Sequence, residues 1–346
     1  MPLRFRIVSI VQETSQAKTY TLEQVGADQV SWEPGQFLTF IFGIDGKELR
    51  RSYSIVSLPG EPLQVTIKKV ENGAASRYAL IHLKEGQEIA ALAPAGRFVL
   101  TPQKLVQRDI FFIVAGSGIT PVLPQLRRLL VAEPQSAIHL FYSNHSEQDT
   151  LFMERLTALQ RSHPQLQVYW FFSDPASRSF PQRRLNNGIL EIMVREKMRF
   201  APGQAVFMIC GPFTFMRMAR ITLIFMHVEE DRIRRENFLP EIMRSSPGTA
   251  HHFEDHTVTL EFNGTSYRLP VRHDETILRA AMAHHIPLPY SCEGGVCSTC
   301  AARCTRGKVE MTVNEVLTNQ DLAEGWILTC TGHPVSENVW ITFDVR

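Results

Sequence analysis

Ile110-Phe111-Phe112-Ile113-Val114-Ala115-Gly116-Ser117-Gly118-Ile119-Thr120-Pro121 runs from an unbroken apolar block into a glycine-rich turn. A continuous apolar run is what a strand buried on both faces requires, as in the middle of a parallel sheet. The glycines permit a tight turn close to a ligand, and Pro121 suits a first helical turn, where no N–H is needed. The stretch therefore reads strand, turn, helix, the opening unit of a doubly wound α/β domain. The helical pattern continues through Leu130. Ala137–Tyr142, Leu166–Phe172 and Ala205–Cys210 read as further strands, with one helix expected from about Asp149 to Arg161 and another after Cys210. Alternating strand and helix predicts a parallel sheet over residues 104–245.

On the N-terminal side the pattern changes. Arg4–Val8, Tyr20–Val25, Phe37–Ile41 and Leu63–Ile67 are short alternating runs, punctuated by Glu33-Pro34-Gly35, Asp45-Gly46 and Leu58-Pro59-Gly60. Many short strands with regular turns predict a small antiparallel barrel over residues 1–103. On the C-terminal side, residues 246–256 carry Pro, Gly and polar residues without an apolar period and read as a linker. Alternation resumes in Val258–Phe262, Asn263-Gly264 signals a hairpin, and Asp274–His285 reads as a helix with Asp274 as its N-cap. A third domain is thus expected over residues 257–346.

The bulk properties agree with several ordinary cores. The chain has 346 residues, 44% apolar and 21% charged, with a net charge of +1. Near-neutral charge gives no global pull toward nucleic acid, and no basic stripe with aromatics is visible. No apolar stretch is long enough to cross a bilayer and no signal-peptide pattern opens the sequence, so no membrane insertion and a cytoplasmic location are expected.

Five of the six cysteines lie in the C-terminal third. Cys292-x₄-Cys297-x₂-Cys300, with Cys330 after a further 29 residues, has the plant-type [2Fe–2S] spacing. Four thiolates must converge on two irons, and Gly294 and Gly295 suit a loop that wraps closely. Ser291, Ser298 and Thr299 place hydroxyls beside the ligands. The competing reading is a structural zinc site, which would make the chain a non-enzymatic, zinc-stapled binding protein; zinc ligands more often come as two closely spaced pairs. Cys304 falls outside the ligand spacing and reads as a bystander. His251, His252 and His256, with Glu254 and Asp255, read as solvated linker rather than a metal site.

Two further segments suggest dinucleotide chemistry. In Arg51-Ser52-Tyr53-Ser54, Arg51 can pair with a pyrophosphate, Tyr53 offers a ring, and Ser54 a hydroxyl. Gly73-Ala74-Ala75-Ser76 leads into a helix, whose first N–H groups suit a phosphate. Cys210-Gly211-Pro212 closes the last buried strand read above.

Together these segments resemble the ferredoxin–NADP reductase superfamily with a C-terminal plant-type ferredoxin. Pro289–Cys300 and Leu328-Thr329-Cys330 are similar to the reductase subunits of phenylacetyl-CoA epoxidases. Arg51–Ser54 resembles the family's R-x-Y-[ST] motif, Gly116–Pro121 its G-x-G-[IV]-[TA]-P motif, and Cys210–Pro212 its C-G-P motif. The resemblance implies a flavin-binding β-barrel, a doubly wound nucleotide domain and a β-grasp ferredoxin domain. It implies FAD, a [2Fe–2S] cluster, and NADPH or NADH as cofactors. It places Arg51, Tyr53, Ser54, Ile67, Lys68, Ala74, Ala75, Ser76 and Phe238 at the flavin. Gly116, Gly118, Thr120, Gly211 and Pro212 fall at the nicotinamide nucleotide, with Ser54 and Cys210 positioning the reacting rings. Cys292, Cys297, Cys300 and Cys330 would hold the cluster. The family's association is with NADPH, yet Asn144-His145 and Ser173-Asp174 stand where relatives often carry Asn-Arg and Ser-Arg, and Arg178, Arg183 and Arg184 read as surface charges. The expected activity is hydride transfer from NAD(P)H to FAD, then single electrons through the cluster to a partner. That partner is an oxygenase component or another one-electron acceptor protein: a phenylacetyl-CoA-type di-iron oxygenase, a ring-hydroxylating dioxygenase or a hybrid-cluster protein.

Overall fold

The computed structural model describes residues 2–26, 30–71, 73–238 and 253–344. They fall into two compact units, Met1–Glu236 and Asn237–Arg346.

The first unit begins with β1 (Leu3–Thr14), β2 (Ala17–Gln24), β3 (Phe37–Ile44), β4 (Lys47–Ser54), β5 (Leu63–Lys68), α1 (Ala74–His82) and β6 (Glu88–Ala91). The strands form one antiparallel sheet in the order β4-β3-β6-β1-β2-β5. Its two edges meet: Ile55, just past β4, bridges Val65 in β5, and Val56 N–H donates to the Gln64 carbonyl at 2.8 Å. Closure leaves a filled barrel rather than open edges. Phe5, Ile7, Tyr20, Leu38 and Phe40 fill it, and the Tyr20 hydroxyl donates to the Ala79 carbonyl at 2.9 Å, fixing α1 to the wall.

The same unit continues with β7 (Asp109–Ala115), α2 (Val122–Ala132), β8 (Ala137–Asn144), α3 (Met153–Ser162), β9 (Leu166–Phe172), α4 (Asn187–Lys197), β10 (Val206–Cys210), α5 (Phe213–Phe225) and β11 (Ile233–Glu236). The sheet is parallel throughout, in the order β11-β10-β7-β8-β9. Ile110 to Val114 are completely buried, as a central strand covered on both faces demands. The strand order reverses between β7 and β10, so their carboxyl ends frame a crevice. Barrel and sheet are joined by side chains of α2. The Leu100 N–H donates to Gln125 Oε1 at 2.8 Å, and Arg127 makes a bidentate pair with Glu61.

The second unit contains β12 (His256–Phe262), β13 (Thr265–Val271), α6 (Ile277–Ala283), β14 (Ala301–Arg306), β15 (Val309–Met311), α7 (Asn319–Ala323), β16 (Trp326–Leu328), β17 (Gly332–Pro334) and β18 (Val339–Thr342). A mixed sheet runs β13-β12-β18-β14-β16, with β12 and β18 parallel, and β15 pairs β17 apart from it. Asn263 and Gly264 both have positive φ, +51° and +71°, as a two-residue hairpin turn needs. Ile277, Leu278, Ala280 and Ala281 turn one face of α6 into the core of this unit.

Three expectations are corrected. The helix placed from Asp149 begins at Met153, because Ser146 bonds Asp149 Oδ2 and the Thr150 N–H bonds the Glu147 carbonyl in a preceding turn. Thr276, not Asp274, caps α6: its hydroxyl accepts from the Arg279 N–H, while Asp274 pairs with Arg272. The linker expected over 246–256 ends earlier. Phe253 stacks on His333 with centroids 4.0 Å apart, Asp255 accepts from the His273 N–H, and His256 already belongs to β12. Residues 246–252, with His251 and His252, lie outside the described residues.

Asp109 is fully buried at the start of β7. Burial alone would raise its carboxyl, but His139 at 3.0 Å and the Phe200 and Arg199 N–H groups outweigh it and hold the pKa below the ordinary value. A depressed carboxyl contributes stability above its unfolded value and loses it as pH falls through the folded one. Asp109→Asn is therefore expected to cost about 3 kcal/mol at neutral pH and to flatten the fall in melting temperature below about pH 4, measured by calorimetry across pH.

Candidate functional site

At the crevice of the parallel sheet the backbone approaches itself closely. A Cβ on Gly118 would stand 2.2 Å from the Cys210 carbonyl oxygen, and Gly116 adopts φ +55°. Only glycine lets the turn after β7 lie against the end of β10. The Thr120 hydroxyl and N–H both bond the Ser117 carbonyl, so this side chain closes the turn instead of facing outward. A Cβ on Gly211 would press on Ala115 at 3.0 Å. Pro212 precedes α5, which has no side-chain cap, leaving its first N–H groups at the crevice. Cys210 is completely buried; burial first and the neighbouring Glu236 second push its thiol well up, keeping it neutral. Glu236 pairs with Cys210 in the β10–β11 register.

Two residues here were not read as nucleotide-site residues from the sequence. The Tyr142 hydroxyl donates to the Gly116 carbonyl at 3.0 Å and holds the turn from β8. The Lys68 ammonium lies 4.0 Å from where a Gly116 Cβ would stand, so a barrel lysine reaches the nucleotide turn; burial lowers its pKa. Neither position carries a sequence signal for the nucleotide, since each is one residue of an ordinary strand.

On the barrel, Ser54 Oγ is buried and has no hydrogen-bond partner. An orphaned hydroxyl is costly unless a ligand satisfies it, which fits a flavin edge. Tyr53 packs against Phe40 and Phe42 at 5.6 and 6.4 Å, and burial pushes its hydroxyl pKa up. Arg51 Nη1 donates to the Arg50 carbonyl at 2.7 Å. Gly73 offers no cap to α1, so the N–H groups of Ala74, Ala75 and Ser76 lack helical acceptors and suit a phosphate. The Ser76 hydroxyl is used within the loop, accepting from Val70 N–H and donating to the Gly73 carbonyl. Ile67 is completely buried in the barrel core. Phe238 lies two residues past β11, half-buried, and falls in the second unit.

In the second unit, Cys297, Cys300 and Cys330 are buried, Cys292 is half-buried, and all four thiols are free. Their sulfurs gather. Cys297 and Cys330 hydrogen-bond the Cys292 sulfur and hold its pKa far below the usual thiol value, with Gly294 and Val296 N–H groups adding to this. Cys330 is pushed up by Cys292 and Cys300, and Cys297 by Cys292. Gly295, at φ +76°, would place a Cβ 2.6 Å from the Val313 carbonyl oxygen, so the loop wraps without a side chain there. The Thr329 N–H and hydroxyl both donate to the Cys300 carbonyl, tying the remote ligand strand to the loop. Thr299 Oγ1 lies 3.3 Å from Cys297 Sγ. Cys304 stands apart, its thiol donating to the Arg306 carbonyl. Among the described residues, no group of three or more His, Cys, Asp or Glu is placed to hold a metal ion. A two-iron cluster makes a different demand, two thiolates on each iron, and four clustered thiols ringed by N–H and hydroxyl donors fit it.

A closed barrel, a parallel sheet with a glycine crevice and a four-thiol loop define an oxidoreductase of FAD, nicotinamide and iron–sulfur modules. Residues 4–100 match the oxidoreductase FAD-binding domain, 112–221 the oxidoreductase NAD-binding domain and 260–335 the 2Fe-2S iron-sulfur cluster binding domain. A 1,2-phenylacetyl-CoA epoxidase subunit from Escherichia coli (strain K12) is 34% identical over 347 residues, 98% of this chain and 97% of that protein. The ferredoxin reductase component of 3-ketosteroid-9-alpha-monooxygenase from Mycobacterium tuberculosis is 29% identical, covering 99% of this chain and 96% of that one. The solved structure of phthalate dioxygenase reductase shares the fold, with a TM-score of 0.58 and 21% identity over 99% of this chain and 98% of that one. The chain belongs to the three-module reductase family that includes the epoxidase protein. The zinc-stapled, non-enzymatic alternative is overturned by the 2Fe-2S domain match and by the relatives that are oxygenase reductase components.

Gly118→Ala is expected to slow NAD(P)H-driven flavin bleaching at least tenfold while the flavin absorbance of the purified protein persists, because the clash falls on the nucleotide turn and not on the barrel. Ser54→Ala is expected to slow the same step about fivefold, the worth of about one hydrogen bond, read by anaerobic stopped flow.

Proposed function

We propose that this chain is the reductase component of an oxygenase system, with a phenylacetyl-CoA-type di-iron oxygenase as its first candidate partner. The observation that carries this reading is the gathering of four free thiols in a chain whose other unit holds a barrel and a nucleotide crevice. Bound FAD would supply the conversion between two-electron and one-electron chemistry, taking one hydride, with its two electrons, from NAD(P)H and passing the electrons singly to the [2Fe–2S] cluster.

The chain's own residues have positioning tasks. Arg51 and the first N–H groups of α1 would hold the flavin diphosphate, and Tyr53 and Lys68 would complete its surroundings, with Ile67 packed behind them in the barrel core. Ser54 gives its hydroxyl to the flavin edge where the hydride arrives. Gly116, Gly118, Thr120, Gly211 and Pro212 shape the nicotinamide crevice. Cys210 supplies a neutral, buried thiol against the nicotinamide ring and neither gives nor takes a proton. Cys292, Cys297, Cys300 and Cys330 ligate the cluster, with Thr299 and the Gly294 N–H beside the sulfurs. Residues 1–103 serve FAD, 104–245 the nucleotide and 257–346 the cluster.

The epoxidase relative supports the partner assignment by 34% identity over nearly the full length. A second partner class, the terminal components of other monooxygenases, is supported by the 29% identical ketosteroid monooxygenase reductase component. Among the described residues, no helix is long and apolar enough to cross a membrane. We propose a cytoplasmic location, in keeping with six free thiols.

Cys297→Ser is expected to leave NAD(P)H-driven ferricyanide reduction within about twofold and to cut reduction of cytochrome c or a partner oxygenase by more than tenfold, with loss of the iron–sulfur absorbance. Full oxygenase support by that variant would overturn the electron order.

A further inference from the structure

The adenosine half of a dinucleotide bound at such a crevice lies over the carboxyl ends of the strands next to the glycine turn, and an acidic or basic residue there decides between a ribose hydroxyl and a 2′-phosphate. In this chain those ends are Asn144-His145 after β8 and Ser173-Asp174 after β9. They are knit together. The Ser173 N–H donates to the Asn144 carbonyl at 3.1 Å and the Asp174 N–H to the His145 carbonyl at 2.8 Å. His145 Nδ1 lies 3.2 Å from Ser173 Oγ, and its Nε2 lies 3.7 Å from Asp174 Oδ2. The backbone bond thus holds the Asp174 carboxylate beside the end of the second strand, 72% exposed to an arriving ligand. The Ser143 hydroxyl in the same strand end is buried without a partner.

Two further carboxylates lie in the loop after β8. Glu147 accepts from the Ala176 and Ser177 N–H groups at 2.7 and 2.9 Å, and Asp149 accepts from Ser146 at 2.7 Å. The Arg183 N–H donates to the Phe172 carbonyl, and Gln182 bridges Phe172 on the β9 edge opposite β8 and donates its amide to the Ser173 carbonyl at 2.8 Å, so this segment is held by main-chain and amide bonds and Asp174 is the charged side chain paired across the ends of β8 and β9. Arg178 and Arg184 are exposed in the same excursion. Lys68 lies by Gly116, at the diphosphate end.

We propose that this reductase takes NADH in preference to NADPH, with Asp174 as the specificity-determining residue that accepts the ribose 2′-hydroxyl and repels a 2′-phosphate. The inference rests on the reading of the chain as a nicotinamide-dependent flavin reductase. A carboxylate accepts a hydroxyl proton readily, whereas a phosphate monoester brings nearly two negative charges to the same place.

The test is anaerobic stopped-flow bleaching of the flavin in the holoprotein, with NADH and NADPH compared at low and high salt. Wild type should favour NADH at least tenfold in kcat/KM, carried by KM, and the ratio should narrow as salt screens the repulsion. Asp174→Arg should lower the NADPH KM at least tenfold and raise that for NADH, with flavin content and visible spectrum unchanged. Arg178→Ala and Arg183→Ala should leave the ratio within twofold. A wild-type preference for NADPH, an unchanged ratio in Asp174→Arg, or loss of NADPH use in Arg183→Ala would overturn the inference while leaving the reductase reading intact. No bleaching by either nucleotide would sink both.

Discussion

The nucleotide crevice exists because two backbone segments meet at Gly118. The turn after β7 lies so close to the Cys210 carbonyl that no side chain fits between them. That approach fixes the ends of the two central strands, on either side of the point where strand order reverses. Tyr142 secures the turn from β8 through the Gly116 carbonyl, and Glu236 stands beside Cys210 from β11. The crevice is therefore built largely from main chain, with Tyr142 spending its hydroxyl on holding the turn.

The second unit repeats the same logic around sulfur. Gly295 lets the ligand loop lie against Val313, and Thr329 stitches the remote cysteine strand to Cys300. Four thiols brought this close influence one another strongly, which is why Cys292 is driven down while Cys297 and Cys330 rise. Without a cationic partner such an arrangement is electrostatically unfavourable once several thiols ionise, and iron supplies that charge.

Much of this was legible in the sequence, for identifiable reasons. The apolar block Ile110–Val114 announces a central strand because burial on both faces leaves no room for alternation. The cysteine spacing is informative because cluster ligation tolerates few geometries. Helix starts were less legible. Asp149 reads as a helix start and Asp274 as a cap, yet each spends its carboxylate on a nearby side chain, Ser146 and Arg272, and the helices begin later. Ser76 matched a phosphate-contact motif, but its hydroxyl closes the loop behind the helix, a choice that depends on where Val70 and Gly73 fall in space. Tyr142 and Lys68 were invisible as nucleotide-site residues because their roles arise from cross-strand and cross-module neighbours, which no local pattern encodes.

Cys304 has a bearing on how the holoprotein is made. The C-terminal unit holds five cysteines, and an unfolded segment would offer all of them to an incoming cluster. In the folded unit Cys304 sits in β14 beside a register shift, with its sulfur turned to the Arg306 carbonyl. Strand formation thus withdraws the surplus thiol and leaves the other four as the available set. If Cys292, Cys297, Cys300 and Cys330 take the cluster as proposed, it is the fold that sets Cys304 apart from them, and a loosely folded chain would present iron with five thiols instead of four.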